Sequence, residues 1–236
     1  IKHSTVSVFS SHWAGNAAIE LHGIDQRKIK VLPFGANFTE RPPAPSTISF
    51  PEFPIRLLFV GVNWEDKGGQ IAFDALQEVL KNGIDAKLTI VGCSPPEGIQ
   101  HPKMKVVGFL DKNIPDEAAR LMDLFRKSHF FILPTKYEAY GLVFCEAAAY
   151  GIPALAPATG GIPSIIEDGV TGYLLPENAN GKMYAEKIIQ LVNEPIVWQA
   201  MRNAAYQRYS EKLNWDAWAG SFRNVLEEAG ILNKKS

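Results

Sequence analysis

The sequence predicts an α/β fold built around a doubly wound parallel sheet, and two features of its apolar pattern lead to this prediction. Short runs rich in Val, Ile and Leu alternate with longer stretches that have the helical period. The runs at 57–60, 88–91 and 130–133 are apolar along their whole length, which is typical of strands covered on both faces. A parallel sheet with helices on both sides is therefore favoured over a half-exposed antiparallel sheet.

Helical periodicity and helix-ending residues predict several helices after residue 50. Gly151 and Pro153 end one helix, and Pro195 separates two others. Pro163 begins a short helix that Gly169 ends. The longer predicted helices span residues 67–80, 116–127, 142–150, 181–193, 196–209 and 215–230.

A proline-rich segment near residues 41–50 predicts a domain boundary, because it cannot continue a helix or a central strand. The segments before it predict a strand at 5–9, a helix at 11–22 and a strand at 29–32, which are too few elements for an independent core. We expect residues 1–40 to be the end of an N-terminal domain, 41–50 a linker and 51–236 a C-terminal domain. Because the chain begins at Ile1, we expect it to be a piece of a longer protein.

Charge and cysteine content exclude several classes of function. The chain has 24 Lys and Arg against 25 Asp and Glu, so no broad basic surface is available for nucleic acid or an anionic membrane. Two cysteines suit a reducing compartment better than a disulfide framework. No apolar stretch approaches the roughly 20 residues of a membrane helix. We expect a cytoplasmic protein, with at most peripheral attachment at the inner face of the membrane.

The segment 134–147 follows a predicted buried strand and leads into a predicted helix. Open α/β sheets bind ligands beyond the carboxyl ends of their strands, and the amides of a helix's first turn attract anions. The helix start at 141–143 is therefore a candidate phosphate site. Glu138 and Glu146 are candidate acceptors for sugar or ribose hydroxyls. An isolated unit of this kind is more often an ordinary capped surface helix, which is the structural alternative.

A second buried strand leads through Gly61 into a loop that ends at Lys67, with a helix opening just after it. An ammonium group at this second helix start would neutralise a diphosphate and stabilise it as a leaving group without a metal ion. The alternative is an ordinary exposed lysine. The fingerprint GxGxxG is absent from this turn, which argues against a nicotinamide enzyme.

The spacing of Glu138 and Glu146, with seven residues between them, closely resembles the signature of the family-four (group 1) retaining glycosyltransferases. The resemblance continues, in the family's order and spacing, through Gly151-Ile152-Pro153, Gly160-Gly161-Ile162-Pro163, Glu167-Asp168-Gly169 and Thr171-Gly172-Tyr173-Leu174-Leu175. It implies a GT-B fold, of which this chain is the Rossmann-like C-terminal half. It also implies that the last helix, at about 215–230, crosses back toward the N-terminal domain.

The resemblance also implies roles for individual residues. Glu138 would face the hydroxyls of the donor sugar, and Glu146 would hold the ribose. The amides of Gly141 and Leu142 would meet the diphosphate. We place Glu138 and Lys67 in the catalytic set. The expected donor-binding set is Gly61, Lys67, Gly108, Phe109, Glu138, Gly141, Leu142, Val143 and Glu146.

Two parts of this resemblance leave alternatives open. The segment at Gly108 and Phe109 resembles the family's base-binding loop, although a strand end with a core Phe explains it equally well. Val62 stands where the family commonly has an arginine. The phosphates would then rely on the remaining lysine and the backbone amides, or Arg56 or Lys136 would supply a second positive charge.

No metal ion or cofactor is expected, because the five histidines and two cysteines show no ligand spacing. The absence of a Gly-x-Ser-x-Gly elbow disfavours a hydrolase, and the position of Cys145 inside a predicted helix disfavours a cysteine nucleophile.

The resulting hypothesis is the donor-binding part of a retaining glycosyltransferase in polysaccharide or glycoconjugate biosynthesis. Its partners would be a nucleoside diphosphate sugar and an acceptor sugar, lipid or glycan bound mainly by the N-terminal domain. We expect this piece alone to bind the donor but hardly to turn it over. The alternatives are a GT-B-like sugar-nucleotide epimerase or phosphorylase, or a non-catalytic scaffold that binds proteins through surfaces such as Trp215 and Trp218.

Overall fold

The computed structural model describes residues 4–38, 41–42, 44–45 and 50–233. The strands in this part of the chain are β1 (Ser7–Phe9), β2 (Ile29–Val31), β3 (Ile55–Val60), β4 (Ala86–Val91), β5 (Met104–Gly108), β6 (Phe130–Ile132), β7 (Ala154–Pro157) and β8 (Gly172–Leu175). The α-helices are α1 (His12–His22), α2 (Gly69–Lys81), α3 (Pro115–Lys127), α4 (Leu142–Ala149), α5 (Gly181–Asn193), α6 (Pro195–Glu211) and α7 (Trp215–Glu228).

Six of these strands form one parallel sheet in the order β5-β4-β3-β6-β7-β8. The chain moves outward from β3 to β4 and β5, and then returns to place β6 on the other side of β3. The strand order therefore reverses between β3 and β6, which is the position where open α/β sheets form a ligand crevice. The predicted doubly wound parallel fold is confirmed.

The core lies on both faces of the two central strands. In β3, Leu57, Leu58 and Phe59 are all buried, and every residue of β6 is buried as well. Helix α2 packs against α5, and α4 packs against α6. Burying each large apolar side chain contributes roughly 1.5–3 kcal/mol, so the central strands form a rigid base for the loops that follow them.

The N-terminal segment contains a second, smaller sheet. Strands β1 and β2 pair in parallel as a two-stranded sheet. Helix α7 reaches this region, because the ring of Trp215 stacks on Phe34 with centroids 5.6 Å apart. Phe34 also contacts the loop between β6 and α4, since its carbonyl oxygen accepts a hydrogen bond of 2.9 Å from the Tyr140 hydroxyl.

The predicted boundaries at 40–41 and 50–51 fall partly outside the described residues. Residues 43 and 46–49 of the predicted linker are not described, and neither are 1–3, 39–40 and 234–236.

Some element boundaries differ from the sequence prediction. Helix α2 begins at Gly69 rather than at residue 67, because Gly68 adopts a left-handed conformation with φ +74°. The short helix expected to begin at Pro163 is a single 3₁₀ turn, Ile162–Ser164. Strands β7 and β8 were not predicted from their apolar pattern. No helix in the described part of the chain is long and apolar enough to cross a membrane.

Candidate functional site

Helices α2 and α4 begin at the carboxyl edge of the sheet, and each has a glycine as its N-cap residue. Gly68 and Gly141 are their N-caps, with φ of +74° and +98°, and neither helix has a side-chain cap. Helices α1, α5 and α7 are instead capped by the side chains of Ser11, Asn180 and Asn214, whereas α3 and α6, which also lack a side-chain cap, have a proline in their first turn. Without a side-chain cap, the first-turn N–H groups of α2 and α4 are suited to an anionic ligand.

The loops that precede these two helices are joined to each other. The Lys136 N–H donates a 2.8 Å hydrogen bond to the Asp66 carbonyl oxygen, which lies 3.2 Å from the Thr135 hydroxyl. Gly68 packs directly on Pro134, since a Cβ at Gly68 would lie 2.0 Å from the Pro134 carbonyl oxygen. These contacts hold the loop after β3 against the loop after β6.

Lys67 and Glu138 meet where the two loops join. The Lys67 Nζ lies 2.7 Å from Glu138 Oε2 and 3.5 Å from the Tyr137 carbonyl oxygen. About a fifth of each side chain is exposed, 22% for Lys67 and 18% for Glu138, so the pair is partly desolvated. Gly61 makes room for the lysine stem, because a Cβ there would lie 2.9 Å from Lys67 Cγ. The structure thus brings Gly61, Lys67 and Glu138 together.

Gly160 and Gly161, which follow β7, contact the backbone of Glu138. Gly161 donates a 3.1 Å hydrogen bond to the Glu138 carbonyl oxygen. A Cβ at Gly160, whose φ is +52°, would lie only 1.9 Å from the same oxygen. The close approach of these backbones fixes the loop that carries Glu138.

The start of α4 lies beside the same carboxylate. A Cβ at Gly141 would lie 3.1 Å from Glu138 Cγ and 2.6 Å from the Phe144 ring, so only glycine fits there. Leu142 is 36% exposed and Val143 is half-buried. Lys67, Glu138 and the helix start at Gly141 are therefore neighbours, and their assignment to a donor remains a prediction.

Glu146 lies in α4 and is 1% exposed. It forms an ion pair with Lys112, a residue that the sequence analysis did not select. Burial raises the pKa of the Glu146 carboxyl, and Lys112 and the Asn37 backbone amide act in the opposite direction. One signal could have revealed Lys112: it is the basic residue in the loop after β5, at the same edge of the sheet.

Gly108 and Phe109 lie at the end of β5, at the sheet edge. Gly108 is linked to the other loops through Gly92, whose N–H donates a 2.8 Å hydrogen bond to the Gly108 carbonyl oxygen. Gly92 in turn packs on Gly61, because a Cβ there would lie 2.7 Å from the Gly61 carbonyl oxygen. The alternative of a core Phe is wrong, because Phe109 is 67% exposed.

The suggestion that Arg56 supplies a second positive charge is also wrong. Arg56 is near the amino end of β3, the end opposite to Gly61, and its guanidinium group contacts Glu52, the Lys127 carbonyl oxygen and His129. A parallel strand places its two ends at opposite edges of the sheet. Lys136 lies in the correct loop and is exposed, so it remains a candidate.

Two further observations concern metal ligands and a possible cysteine nucleophile. Among the described residues, no group of three or more His, Cys, Asp and Glu side chains lies together in a way that could hold a metal ion. Cys145 is buried, and burial raises the pKa of its thiol to about 12, which disfavours a nucleophilic thiolate.

Comparison with curated proteins finds glycosyltransferases. The chain is 28% identical over 189 residues to D-inositol 3-phosphate glycosyltransferase of Corynebacterium diphtheriae, an alignment that covers 75% of this chain and 43% of that protein. It is 29% identical over 180 residues to an uncharacterized glycosyltransferase of Methanocaldococcus jannaschii, covering 72% of this chain and 47% of that protein. The chain thus spans less than half of the length of these relatives.

Solved structures share the fold. A glycosyltransferase from Rickettsia africae superposes with a TM-score of 0.74 at 19% identity, covering 98% of this chain and 64% of that one. The HepE protein of Anabaena in complex with UDP-glucose gives a TM-score of 0.71 at 18% identity, covering 95% and 64%. The family model described as glycosyl transferases group 1 matches residues 54–194, which is more than half of the chain. Together with the Rossmann-like sheet and the predicted family signature, this match shows that the chain belongs to the group 1 glycosyltransferases.

Proposed function

We propose that this chain is the nucleotide-sugar-binding part of a retaining glycosyltransferase. The full enzyme would transfer a sugar from a nucleoside diphosphate sugar to an acceptor sugar, lipid or glycan. The observation that carries the proposal is the meeting of Lys67, Glu138 and the glycine-capped start of α4 at the point where the strand order reverses. That arrangement offers one cation, one carboxylate and unused amides to a single ligand.

The diphosphate would lie between the starts of α2 and α4. The Lys67 ammonium would balance its charge, and the amides of Gly141, Leu142 and Val143 would donate hydrogen bonds to its oxygens. Each of these contacts gains strength as negative charge builds up on the departing diphosphate. They therefore stabilise the transition state more than the bound donor, without need for a metal ion.

Lys67 and Glu138 would change partners when a donor binds. In this structure they pair with each other at 2.7 Å. A diphosphate carries more charge than one carboxylate and would take the ammonium group. Glu138 would then accept hydrogen bonds from the sugar hydroxyls and orient the ring as it develops oxocarbenium character.

Further residues of this chain and the N-terminal domain would complete the site. Glu146 would accept hydrogen bonds from the ribose, and the backbone at Gly108 together with the exposed Phe109 ring would contact the base. The acceptor would bind mainly to the N-terminal domain, and reaction with retained configuration would occur in the cleft between the domains. The HepE structure with UDP-glucose supports a nucleoside diphosphate sugar as the ligand class. We further propose that the enzyme works in the cytoplasm.

Calorimetry of this chain with UDP, GDP, ADP and their sugar conjugates tests the proposal. We expect at least one of these nucleotides to bind and to raise the melting temperature. Lys67→Ala should weaken this binding, and Lys182→Ala, on the exposed surface of α5, is the matched control for the loss of one positive charge. If no nucleotide binds or raises the melting temperature, the proposal fails and a scaffold that has kept the fold becomes the better explanation.

A further inference from the structure

Lys112 is the ion-pair partner of Glu146, and the two side chains differ strongly in exposure. Glu146 is 1% exposed, whereas the side chain of Lys112 is 36% exposed. Lys112 comes from the loop between β5 and α3, and Glu146 comes from α4. The ammonium group contacts Oε1 of Glu146. A partly exposed side chain from a separate loop therefore holds one oxygen of a buried carboxylate.

The second oxygen of Glu146 has no partner. Oε2 is buried and accepts no hydrogen bond from any described residue. A buried polar atom left in this state is unfavourable, and more so when it carries charge. Lys112 also lines a neighbouring cavity of about 600 Å³ together with Asn37, Phe38 and Asn113. The cavity is thus connected, through Lys112, to a buried carboxylate that has one oxygen unpaired among the described residues.

We infer that Lys112 is a positioning residue of the nucleotide site: its ammonium group fixes one oxygen of Glu146 and leaves Oε2 to accept a hydrogen bond from a hydroxyl of the bound nucleoside. This inference rests on the proposed function. It adds Lys112 to the site and gives it a role, because a lysine from a different loop keeps the carboxylate charged and oriented. Charge-assisted hydrogen bonds are about twice as strong as neutral ones, so the charge on Glu146 matters for binding.

The electrostatics around Glu146 agree with this role. Burial raises its pKa, and the opposing groups are Lys112 and the Asn37 backbone amide. The neighbouring Cys145 thiol and Tyr150 hydroxyl have pKa values of about 12, so both are neutral near pH 7. Lys112 is thus the one formal positive charge that these described surroundings place against the carboxylate. Without it, the pKa of Glu146 would rise further.

The test measures the dissociation constants of UDP, GDP and ADP for the unaltered chain and for Lys112→Met, Lys112→Gln and Lys112→Arg between pH 6 and 8.5. For the nucleotide that binds tightest, we expect Lys112→Met to raise Kd about tenfold at pH 6.5 and by a smaller factor at pH 8.5. Loss of the lysine delays ionisation of Glu146, so the ratio to the unaltered chain falls as pH rises. Dividing the Kd of the variant by the Kd of the unaltered chain at the same pH removes the effect of phosphate titration, which is the same for both proteins. Lys112→Arg keeps the charge and should stay within about twofold.

A nucleotide without ribose hydroxyls separates this role from direct phosphate binding. For the 2′,3′-dideoxy form, Lys112→Met and the unaltered chain should bind equally. Lys182→Met controls for the change in net charge. Three outcomes would overturn the inference while leaving the proposed function intact. The first is that Lys112→Met and Lys112→Gln bind the ordinary nucleotide as tightly as the unaltered chain or more tightly. The others are a ratio of variant Kd to unaltered Kd that does not change with pH, and a loss of affinity that persists with the dideoxy form. Failure of the unaltered chain to bind any of the three nucleotides would instead overturn the proposed function.

Discussion

The Nζ atom of Lys67 lies 2.7 Å from Oε2 of Glu138, although the two residues are 71 positions apart in the chain. They follow β3 and β6, the adjacent strands between which the strand order reverses. Each residue neutralises the other in a partly desolvated position. A ligand that binds here must therefore exchange this ion pair for contacts of its own, and this requirement leads to the first two predictions.

Replacing Lys67 by alanine removes the cation that pairs with Glu138 beside the start of α4. We expect Kd for the best-bound nucleoside diphosphate to rise about 10- to 100-fold, because a charge-assisted contact to phosphate is lost. Calorimetry at fixed ionic strength measures this. Lys136→Ala removes a charge from the same loop region without touching the ion pair and should change Kd less than Lys67→Ala. A larger effect at Lys136 would transfer the phosphate role to that residue.

Glu138→Gln should separate sugar recognition from phosphate recognition. The amide no longer competes with phosphate for Lys67, so the best-bound nucleoside diphosphate should bind as tightly as before or more tightly. The preference for the sugar conjugate of the best-bound nucleoside diphosphate over the nucleoside diphosphate itself should fall by about tenfold, since a charged acceptor for sugar hydroxyls is lost. The ratio of the two dissociation constants is the measurement. An unchanged ratio together with weaker binding of the nucleoside diphosphate would mean that Glu138 has a structural role only.

The glycine at 160 should tolerate no side chain. A Cβ there would lie 1.9 Å from the Glu138 carbonyl oxygen, and φ is +52°. Gly169 is a matched control, because its φ is +72° but nothing lies within 4 Å of a Cβ. We expect Gly169→Ala to lower the free energy of unfolding by about 1 kcal/mol and Gly160→Ala by about 3 kcal/mol or more. Urea unfolding measures both. Equal losses would show that this backbone contact is less tight than described.

His129 should make stability depend on pH. Burial, followed by the nearby Arg56 and Arg202, lowers its pKa to about 3. The unfolded chain therefore binds one more proton than the folded chain between about pH 3 and the ordinary histidine pKa of about 6.5. Stability should rise with pH across this window and be lost on acidification, by about 1.4 kcal/mol per pH unit for this group.

Asn at position 129 keeps an acceptor for the Arg56 N–H but cannot titrate. Urea unfolding of His129→Asn between pH 4 and 6 should show a slope smaller by about one proton than that of the unaltered chain. Identical slopes in the two proteins would rule out His129 as the titrating group.

The long apolar runs were the most predictable part of the fold. The runs at 57–60, 88–91 and 130–133 all became strands of the central sheet, because burial on both faces gives a continuous apolar signal. Strands β7 and β8 were missed since each has only four residues, and Ala154–Pro157 ends in a proline. Short strands of this composition are specified by their neighbours in the sheet rather than by their own pattern.

The site was predictable where it depends on the carboxyl edge of the sheet. Lys67, Glu138 and Gly141 follow strands that the apolar pattern predicts, so their proximity follows from the fold. The pairing of Lys112 with Glu146 was not predictable, because it depends on how a loop between β5 and α3 lies over α4. The mistaken suggestion about Arg56 had a simpler cause, since it ignored which end of β3 carries the residue.

A structure of this chain with the nucleoside diphosphate it binds best tests the central claim most directly. The account predicts that the phosphate oxygens lie within hydrogen-bond distance, about 3 Å, of Lys67 Nζ and of the first-turn amides at Leu142 and Val143. The Glu138 carboxylate should then have turned away from the lysine. A nucleotide bound with its phosphates away from both helix starts, and with the 2.7 Å ion pair between Lys67 and Glu138 still in place, would contradict it.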